Sequence, residues 1–242
     1  MSLFKKNKSK IEKVYLDNAA TTRVDDEVVK EMIPYFSEKF GNASSQHFIG
    51  QEAKRALEDA REVIAKSIGA NREEIIFTSS GTESNNLALK GLFFANGIAS
   101  SNSKEFEGPK RNHIITTKIE HDCILNSCKW LESQGAEITY LNVDKEGFID
   151  LKELEESINE RTLIVSIIHG NNEIGTIQDL KTIGEICRKK GVYFHSDACQ
   201  TYTKVDIDVK KMNIGLLTLI LIKFMDQREL EHCILIRMLK VK

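Results

Sequence analysis

The sequence has little proline and no long apolar run. Only two prolines, Pro34 and Pro109, occur in 242 residues, which leaves room for long helices. A bilayer-spanning helix needs about 20 predominantly apolar residues, and no run approaches that length, so no membrane partner is expected. The start is basic without an apolar stretch behind it, which predicts a frayed tail over residues 1–13 rather than a secretory signal.

The cysteines lack the spacings that bind metals. They form no C-x-x-C pair, and no histidine has the sequence spacing from them that zinc-binding motifs require, so no metal centre is predicted. An odd, scattered set without a secretory signal is typical of a reducing cytoplasm, where thiols mostly pack as small hydrophobic groups. The five cysteines are Cys123, Cys128, Cys187, Cys199 and Cys233.

An excess of charge of either sign is missing as well. The formal net charge is −2, with 29% charged and 41% hydrophobic residues. This balance excludes a disordered chain, a collagen-like chain and a strongly basic nucleic-acid binder. The length fits one large α/β domain or two small ones.

Apolar residues recur with strand and helix periods in alternation, which predicts an α/β fold with a mainly parallel sheet covered on both faces. In such a sheet, ligands bind beyond the carboxyl ends of the strands. Residues 97–112 are polar and rich in glycine and serine, which favours a surface loop. The predicted strands are 75–77, 113–116, 137–141, 163–168, 192–195 and 216–219, and the predicted helices are 24–39, 51–68, 82–95, 122–133, 151–157, 180–190 and 207–212.

The turn after the first strand predicts an anion site. Gly81 lets the backbone approach a ligand closely, Thr82 adds a hydroxyl donor, and the following helix start offers free N–H groups. No Gly-Lys-Ser/Thr follows, so this is not a Walker loop. The structural alternative is a capped helix with Ser80 or Thr82 as N-cap.

Three more strand ends carry polar side chains that could serve a ligand. His121 could stack on a ring or move a proton, or could simply cap a helix. Asn171 and Asn172 are either ligand donors or an asparagine-rich turn, and Asp197 with Gln200 is either a partner for a basic ring nitrogen or an N-cap. Together these groups fit a phosphorylated aromatic ring such as pyridoxal phosphate, whose pyridinium nitrogen needs a carboxylate.

At this point the chain resembles a known family. Its motifs are similar to those of the cysteine desulfurases, which are fold-type I pyridoxal-phosphate enzymes of the class V aminotransferase group. The resemblance runs continuously from about Val14 to Leu219 and is specific in order and spacing. The segments that carry it are Tyr15-Leu-Asp-Asn-Ala-Ala-Thr-Thr22, Phe40-Gly-Asn-Ala-Ser-Ser-Gln-His47, Thr78-Ser-Ser-Gly-Thr-Glu-Ser-Asn-Asn86, Glu120-His121, Asn171-Asn-Glu-Ile-Gly175 and Asp197-Ala-Cys-Gln200.

The resemblance implies a role for each strand-end residue. Gly81 and Thr82 would hold the cofactor phosphate, and the catalytic His121 would stack on its ring. Asp197 would meet the pyridinium nitrogen, while the ring-oxygen side would be contacted by Asn172 and Gln200.

The resemblance also implies an activity and an architecture. The family takes sulfur from L-cysteine, leaving L-alanine and an enzyme persulfide, and delivers it to sulfur acceptors or iron–sulfur scaffold proteins. Its members are homodimers, and we expect this one in the cytoplasm. Residues 14–219 would form most of a three-layer large domain, with the small C-terminal domain missing.

The family pattern stops near residue 219. A lysine in a Ser-X-His-Lys motif normally forms the Schiff base, and Lys223 stands at that index, but Ile220 and Ile222 replace the serine and the histidine. One permitted coding of residues 220–234, read from its third base, translates as Thr-His-Lys-Ile-Tyr-Gly-Pro-Lys-Gly-Ile-Gly-Ala-Leu-Tyr, the missing motif. The interpretation is a single-base frameshift, which makes residues 220–242 an out-of-frame tail.

Three hypotheses for the function follow. The first is a cysteine desulfurase whose gene or record is frameshifted, so that the chain as written is inactive and prone to aggregate. The second is a related enzyme, such as a selenocysteine lyase or another class V transferase. The third is a non-catalytic remnant that at most binds cofactor or a partner.

Overall fold

The strands form one seven-stranded sheet in the order β1-β7-β6-β5-β4-β2-β3. The computed structural model describes residues 14–96 and 111–220 and the backbone of 233–237. The predicted tail 1–13, most of the predicted loop 97–112 and Lys223 therefore lie outside the described residues. The strands are β1 (Ile75–Thr78), β2 (His113–Thr117), β3 (Glu137–Leu141), β4 (Thr162–Ser166), β5 (Tyr193–Asp197), β6 (Leu216–Ile220) and β7 (Cys233–Arg237).

The predicted mainly parallel sheet is confirmed. The pairs β2–β3, β2–β4, β4–β5 and β5–β6 are parallel. Only β7 runs the other way, inserted antiparallel between β1 and β6. The sheet thus includes six residues of the segment interpreted as an out-of-frame tail, Ile220 at the end of β6 and the five residues of β7, and the division of the chain at residue 219 stays a prediction.

Helices cover both faces of the sheet, which gives three layers. The helices are α1 (Asp26–Ser37), α2 (Phe48–Ser67), α3 (Gly81–Asn86), α4 (Asp122–Ser133), α5 (Leu151–Ser157) and α6 (Leu180–Lys190). A π-helical turn, Leu87–Gly91, follows α3, and helical turns continue to Asn96. One apolar core joins β-strand residues to side chains from α2, α5 and α6, and the other joins them to the helical turns after α3 and to α4.

Side chains that accept backbone N–H groups start these helices. Asp25, Asp150 and Asp179 cap α1, α5 and α6, and a histidine, His47, caps α2. A cap satisfies donors that the first turn of a helix leaves free, so it fixes where the helix begins. This explains why α2 starts three residues before the predicted position.

The helix predicted over 207–212 is wrong. The segment forms hydrogen-bonded turns, in which the side chain of Asp208 accepts from the N–H groups of Lys210 and Lys211. Asn213 has a φ of 53°, which ends any right-handed helix at that point. No described helix is long and apolar enough to cross a membrane.

Candidate active site at the carboxyl edge of the sheet

The predicted site residues within the described chain line one cavity of about 360 Å³. The cavity lies where β1, β5 and β6 end and where the loops after β2 and β4 begin. Carboxyl ends of parallel strands meet at one edge of a sheet, which explains the convergence. The six predicted residues that line it are Gly81, Thr82, His121, Asn172, Asp197 and Gln200.

The start of α3 forms the first wall of the cavity. The hydroxyl of Ser80 accepts from the N–H of Glu83, so Ser80 is the N-cap. The N–H groups of Gly81 and Thr82 find no acceptor within the described part of the chain. Two free donors at the positive end of a helix suit an anion, and capping and anion binding are therefore compatible here.

His121 stands at the mouth of the cavity as the N-cap of α4. Its Nδ1 accepts from the N–H of Cys123 at 3.2 Å and lies 3.1 Å from the Cys123 Sγ. The side chain is exposed and lines the cavity. Capping fixes the ring at its Nδ1 edge and leaves the rest of the imidazole available to a ligand.

Asp197, the last residue of β5, brings a buried carboxylate to the cavity. Its Oδ1 accepts from the N–H of Cys199 at 3.0 Å, and its Oδ2 accepts from the Asn85 side chain at 2.7 Å. A buried carboxylate is costly unless its oxygens are hydrogen-bonded, and here both are. The remaining lone pairs can face a cationic group in the cavity.

The two consecutive asparagines after β4 have different functions. The Asn171 side chain donates to the carbonyl of Ile119 and accepts from the N–H groups of Glu173 and Ile174, so it builds the turn. Asn172 lines the cavity instead. The alternative of an asparagine turn is thus confirmed for Asn171, while a ligand contact by Asn172 stays a prediction.

Gln200 connects the cavity to the N-terminal segment. Its Nε2 donates to the Ala19 carbonyl at 3.3 Å, and Ala19 and Ala20 form part of the cavity wall. A small side chain at both positions leaves the cavity open on this side. The motif that contains them therefore contributes shape rather than a reactive group.

Glu120 lies directly behind the cavity and ties two loops together. Its Oε1 accepts from the Thr117 hydroxyl at 2.8 Å and from the N–H of Ile168 at 2.9 Å. Burial raises the pKa of Glu120 to about 8, and the negative charge of Asp197 acts in the same direction. The Glu120 carboxyl is therefore mainly neutral at pH 7.

Two thiols line the cavity, but the environment of Cys123 does not activate it. Burial raises the pKa of the Cys123 thiol to about 11, which keeps it protonated at neutral pH. Cys199 is half-buried and lines the same cavity. Neither residue was predicted as a site residue, because isolated cysteines carry no motif.

Asn85 is the polar residue that sequence reasoning missed. It lies four residues after Gly81, hence on the same face of the helix, and this spacing is a signal that could have found it. Ile220, at the end of β6, also lines the cavity and adds an apolar side chain there. The roles of the predicted residues as cofactor contacts stay predictions.

The cavity fits a phosphorylated pyridine. It combines two free N–H donors at a helix start, an exposed imidazole and a buried, anchored carboxylate. Within the described ranges, no three His, Cys, Asp or Glu residues are placed to hold a metal ion. These cavity groups therefore suit an organic anion that carries a basic nitrogen.

Comparison with known proteins supports the predicted resemblance. The sequence profile described as Aminotransferase class-V matches residues 14–223. The chain is 47% identical over 211 residues to cysteine desulfurase IscS of Clostridium botulinum (strain Kyoto / Type A2), covering 87% of this chain and 50% of that protein. It is 50% identical over 204 residues to cysteine desulfurase IscS of Rickettsia bellii, covering 84% of this chain and 47% of that protein.

Solved structures agree with the sequence comparison. The structure of SspA in complex with cysteine matches with a TM-score of 0.83 at 39% identity, covering 92% of this chain and 60% of that one. A NifS-like protein matches with a TM-score of 0.84 at 38% identity, covering 93% and 59%. The chain spans about half the length of the curated relatives it matches.

Proposed function

Because this chain belongs to the aminotransferase class-V family, we propose that its cavity binds pyridoxal 5′-phosphate and that the protein is of the cysteine desulfurase type. Its relatives of that name, at 47–50% identity, support this assignment. The observation that carries it is the convergence of the α3 N-terminus, His121 and Asp197 on one cavity.

Each wall of the cavity would contact a different part of the cofactor. The N–H groups of Gly81 and Thr82 would bind its phosphate, and Asp197 would hold a proton on its ring nitrogen. His121 would stack on the ring, and Asn172 and Gln200 would donate to its oxygen side. The bound cofactor would supply an electron sink for chemistry at the Cα of an amino acid.

We further propose L-cysteine as the substrate and a sulfur-acceptor or iron–sulfur scaffold protein as the partner. The bound cysteine of the related SspA structure supports the substrate. A homodimer in the cytoplasm is part of this proposal, and the thiols of Cys123, Cys128 and Cys187, which form no disulfide, fit a reducing compartment. Turnover requires a lysine and a reactive thiolate, so we propose that the chain as written binds cofactor but does not release sulfide.

The test compares the chain as written, its Asp197→Ala variant and a chain with the reading frame restored near codon 220. We expect the chain as written to bind pyridoxal 5′-phosphate, with at least about tenfold weaker binding in Asp197→Ala because the ring nitrogen loses its partner. With an added thiol that reduces the enzyme persulfide, only the restored chain should release sulfide and alanine from L-cysteine. Binding is measured by absorbance titration and sulfide by a colorimetric assay.

Asp122→Ala is the matched control, because it removes an exposed carboxylate that does not line the cavity. Equal affinity of Asp197→Ala and Asp122→Ala would contradict the cofactor assignment. Cysteine-dependent sulfide release by the chain as written, lost in Lys223→Ala, would show instead that the tail is functional. A restored chain that acts on selenocysteine but not on cysteine would favour a selenocysteine lyase.

A further inference from the structure

We propose that Asn85 is a positioning residue, which holds the Asp197 carboxylate directed into the cavity. This inference rests on the proposed function and adds a residue to it. Asn85 lies on α3, and only 1% of its surface is exposed. It acts on any bound ring through Asp197.

The contact between the two side chains is direct and crosses the fold. Asn85 Nδ2 donates to Asp197 Oδ2 at 2.7 Å, although the residues are 112 positions apart in the chain. The N–H of Cys199 anchors the other carboxylate oxygen at 3.0 Å. Two donors from different elements therefore fix both the position and the plane of the carboxylate.

The amide has only one chemically acceptable orientation. If the amide were turned over, Asn85 Oδ1 would face Asp197 Oδ2, and these two oxygens, both hydrogen-bond acceptors, would repel each other. In the orientation present, Nδ2 also donates to Cys123 Sγ at 3.1 Å. Sulfur is a weak acceptor, so the contact with Asp197 is the stronger of the two.

The opposite end of the amide shows that this orientation has a cost. Asn85 Oδ1 is buried and has no hydrogen-bond partner within the described residues. Buried acceptors without partners are rare in folded proteins, because they lose their water without replacement. The fold keeps this one, which is understandable if donation to Asp197 serves a function beyond stability.

A buried carboxylate that must face a cationic ring nitrogen needs such a donor. Without it, one carboxylate oxygen would have no protein donor to fix its position relative to the ring. Donation from Asn85 orients Oδ2 and leaves lone pairs of Asp197 for the ligand. Asn85 should therefore matter only for ligands that carry the ring nitrogen.

The experiment uses the full chain and two probes that cannot form a Schiff base. One is pyridoxine 5′-phosphate, and the other is its analogue with a C–H group in place of the ring nitrogen. We expect Asn85→Leu to weaken the binding of pyridoxine 5′-phosphate by about tenfold and to change the binding of the analogue by less than about twofold. Asn86→Ala is the control, since Asn86 is adjacent but does not line the cavity.

A double-mutant cycle tests whether Asn85 acts through Asp197. In the Asp197→Ala background, Asn85→Leu should have no further effect on either probe. Should Asn85→Leu fail to fold, Asn85→Ser offers a smaller change, and the same selectivity loss is expected because its hydroxyl is too short to reach Oδ2.

The outcomes separate this inference from the proposed function. Equal weakening of both probes in Asn85→Leu, or an additional loss in the Asp197→Ala background, would overturn the positioning role while the cofactor site stands. Failure of the unmodified chain to bind either probe would overturn the proposed function and this inference together. Selective loss of the nitrogen-bearing probe supports it.

Discussion

The N-terminal helix and the helices on the sheet differ in how they are held. α1 buries none of its residues, and Ile33 and Phe36 remain 55% and 66% exposed. α6 buries five of its eleven residues, and every residue of the neighbouring β4 is buried. Both helices have an aspartate N-cap and an apolar stripe, so their local signals are equivalent.

The difference teaches that local sequence determines a helix and tertiary partners determine its stability. The stripe of α6 packs on the sheet, whereas the stripe of α1 faces solvent together with Leu16, Phe40 and Phe48. Burial of apolar area is the main stabilising contribution in folding. An exposed apolar surface of this kind favours association, and the expected aggregation of the chain stays a prediction.

The largest expected effect comes from a matched pair of phenylalanines. Phe194, in β5, is 1% exposed, and Phe36, in α1, is 66% exposed. We expect Phe194→Ala to lower the free energy of unfolding by about 3–5 kcal/mol, because it leaves a cavity in the core. Phe36→Ala should change it by less than about 0.5 kcal/mol. Urea denaturation followed by circular dichroism measures both.

A loss of more than about 2 kcal/mol in Phe36→Ala would break the comparison, since it would mean that α1 is buried against a partner surface in solution. Concentration dependence of the denaturation midpoint would then identify that surface as one between copies of the chain.

The second effect is a stability maximum near pH 6.5. Burial lowers the pKa of His169 and His195 to about 4 from 6.5, so the unfolded chain binds more protons and stability rises with pH up to about 6.5. Burial raises the pKa of Glu120 from 4.5 to about 8, so the folded chain binds more protons and stability falls as pH rises to about 8. Between pH 6.5 and 8, Glu120 is the one of these three groups that still contributes.

Glu120→Gln isolates the contribution of Glu120 to this curve. Glutamine mimics the neutral carboxyl, so its Oε1 can still accept from Thr117 and Ile168. The variant should remove a falling slope of up to about 1.4 kcal/mol per pH unit between pH 4.5 and 8, which flattens the alkaline side and steepens the rise on the acid side. Denaturation midpoints across this range measure it, and an unchanged alkaline slope would show that Glu120 is ionised in the folded chain.

The smallest effect compares the two aspartate caps. Asp179→Ala should cost about 1 kcal/mol of global stability, because α6 unfolds only with the sheet. Asp25→Ala should reduce helical signal and amide protection within α1, with no measurable change in the global midpoint. Hydrogen exchange distinguishes local unfolding of α1 from global unfolding. Equal losses of global stability in the two variants would show that α1 and α6 belong to one cooperative unit.

Much of the fold was predictable because its signals are short-range. Periodic apolar residues predicted α1, α2, α4, α5 and α6 within a few residues. The helix predicted over 207–212 failed because the side chain of Asp208 stabilises turns, and Asn213 takes a left-handed conformation that periodicity does not reveal. The antiparallel position of β7 between β1 and β6 was not predicted, since pairing partners are far apart in the chain.

The candidate site shows the same division. The sequence by itself determined the chemical groups at the strand ends and, through the motifs around Gly81 and Asp197, the family. Only the tertiary structure decided that Glu120 is neutral and that Asn85 meets Asp197. Residue types and caps act within one or two turns of the chain, whereas burial, pKa and hydrogen bonds between distant segments exist only once the sheet has brought those segments together.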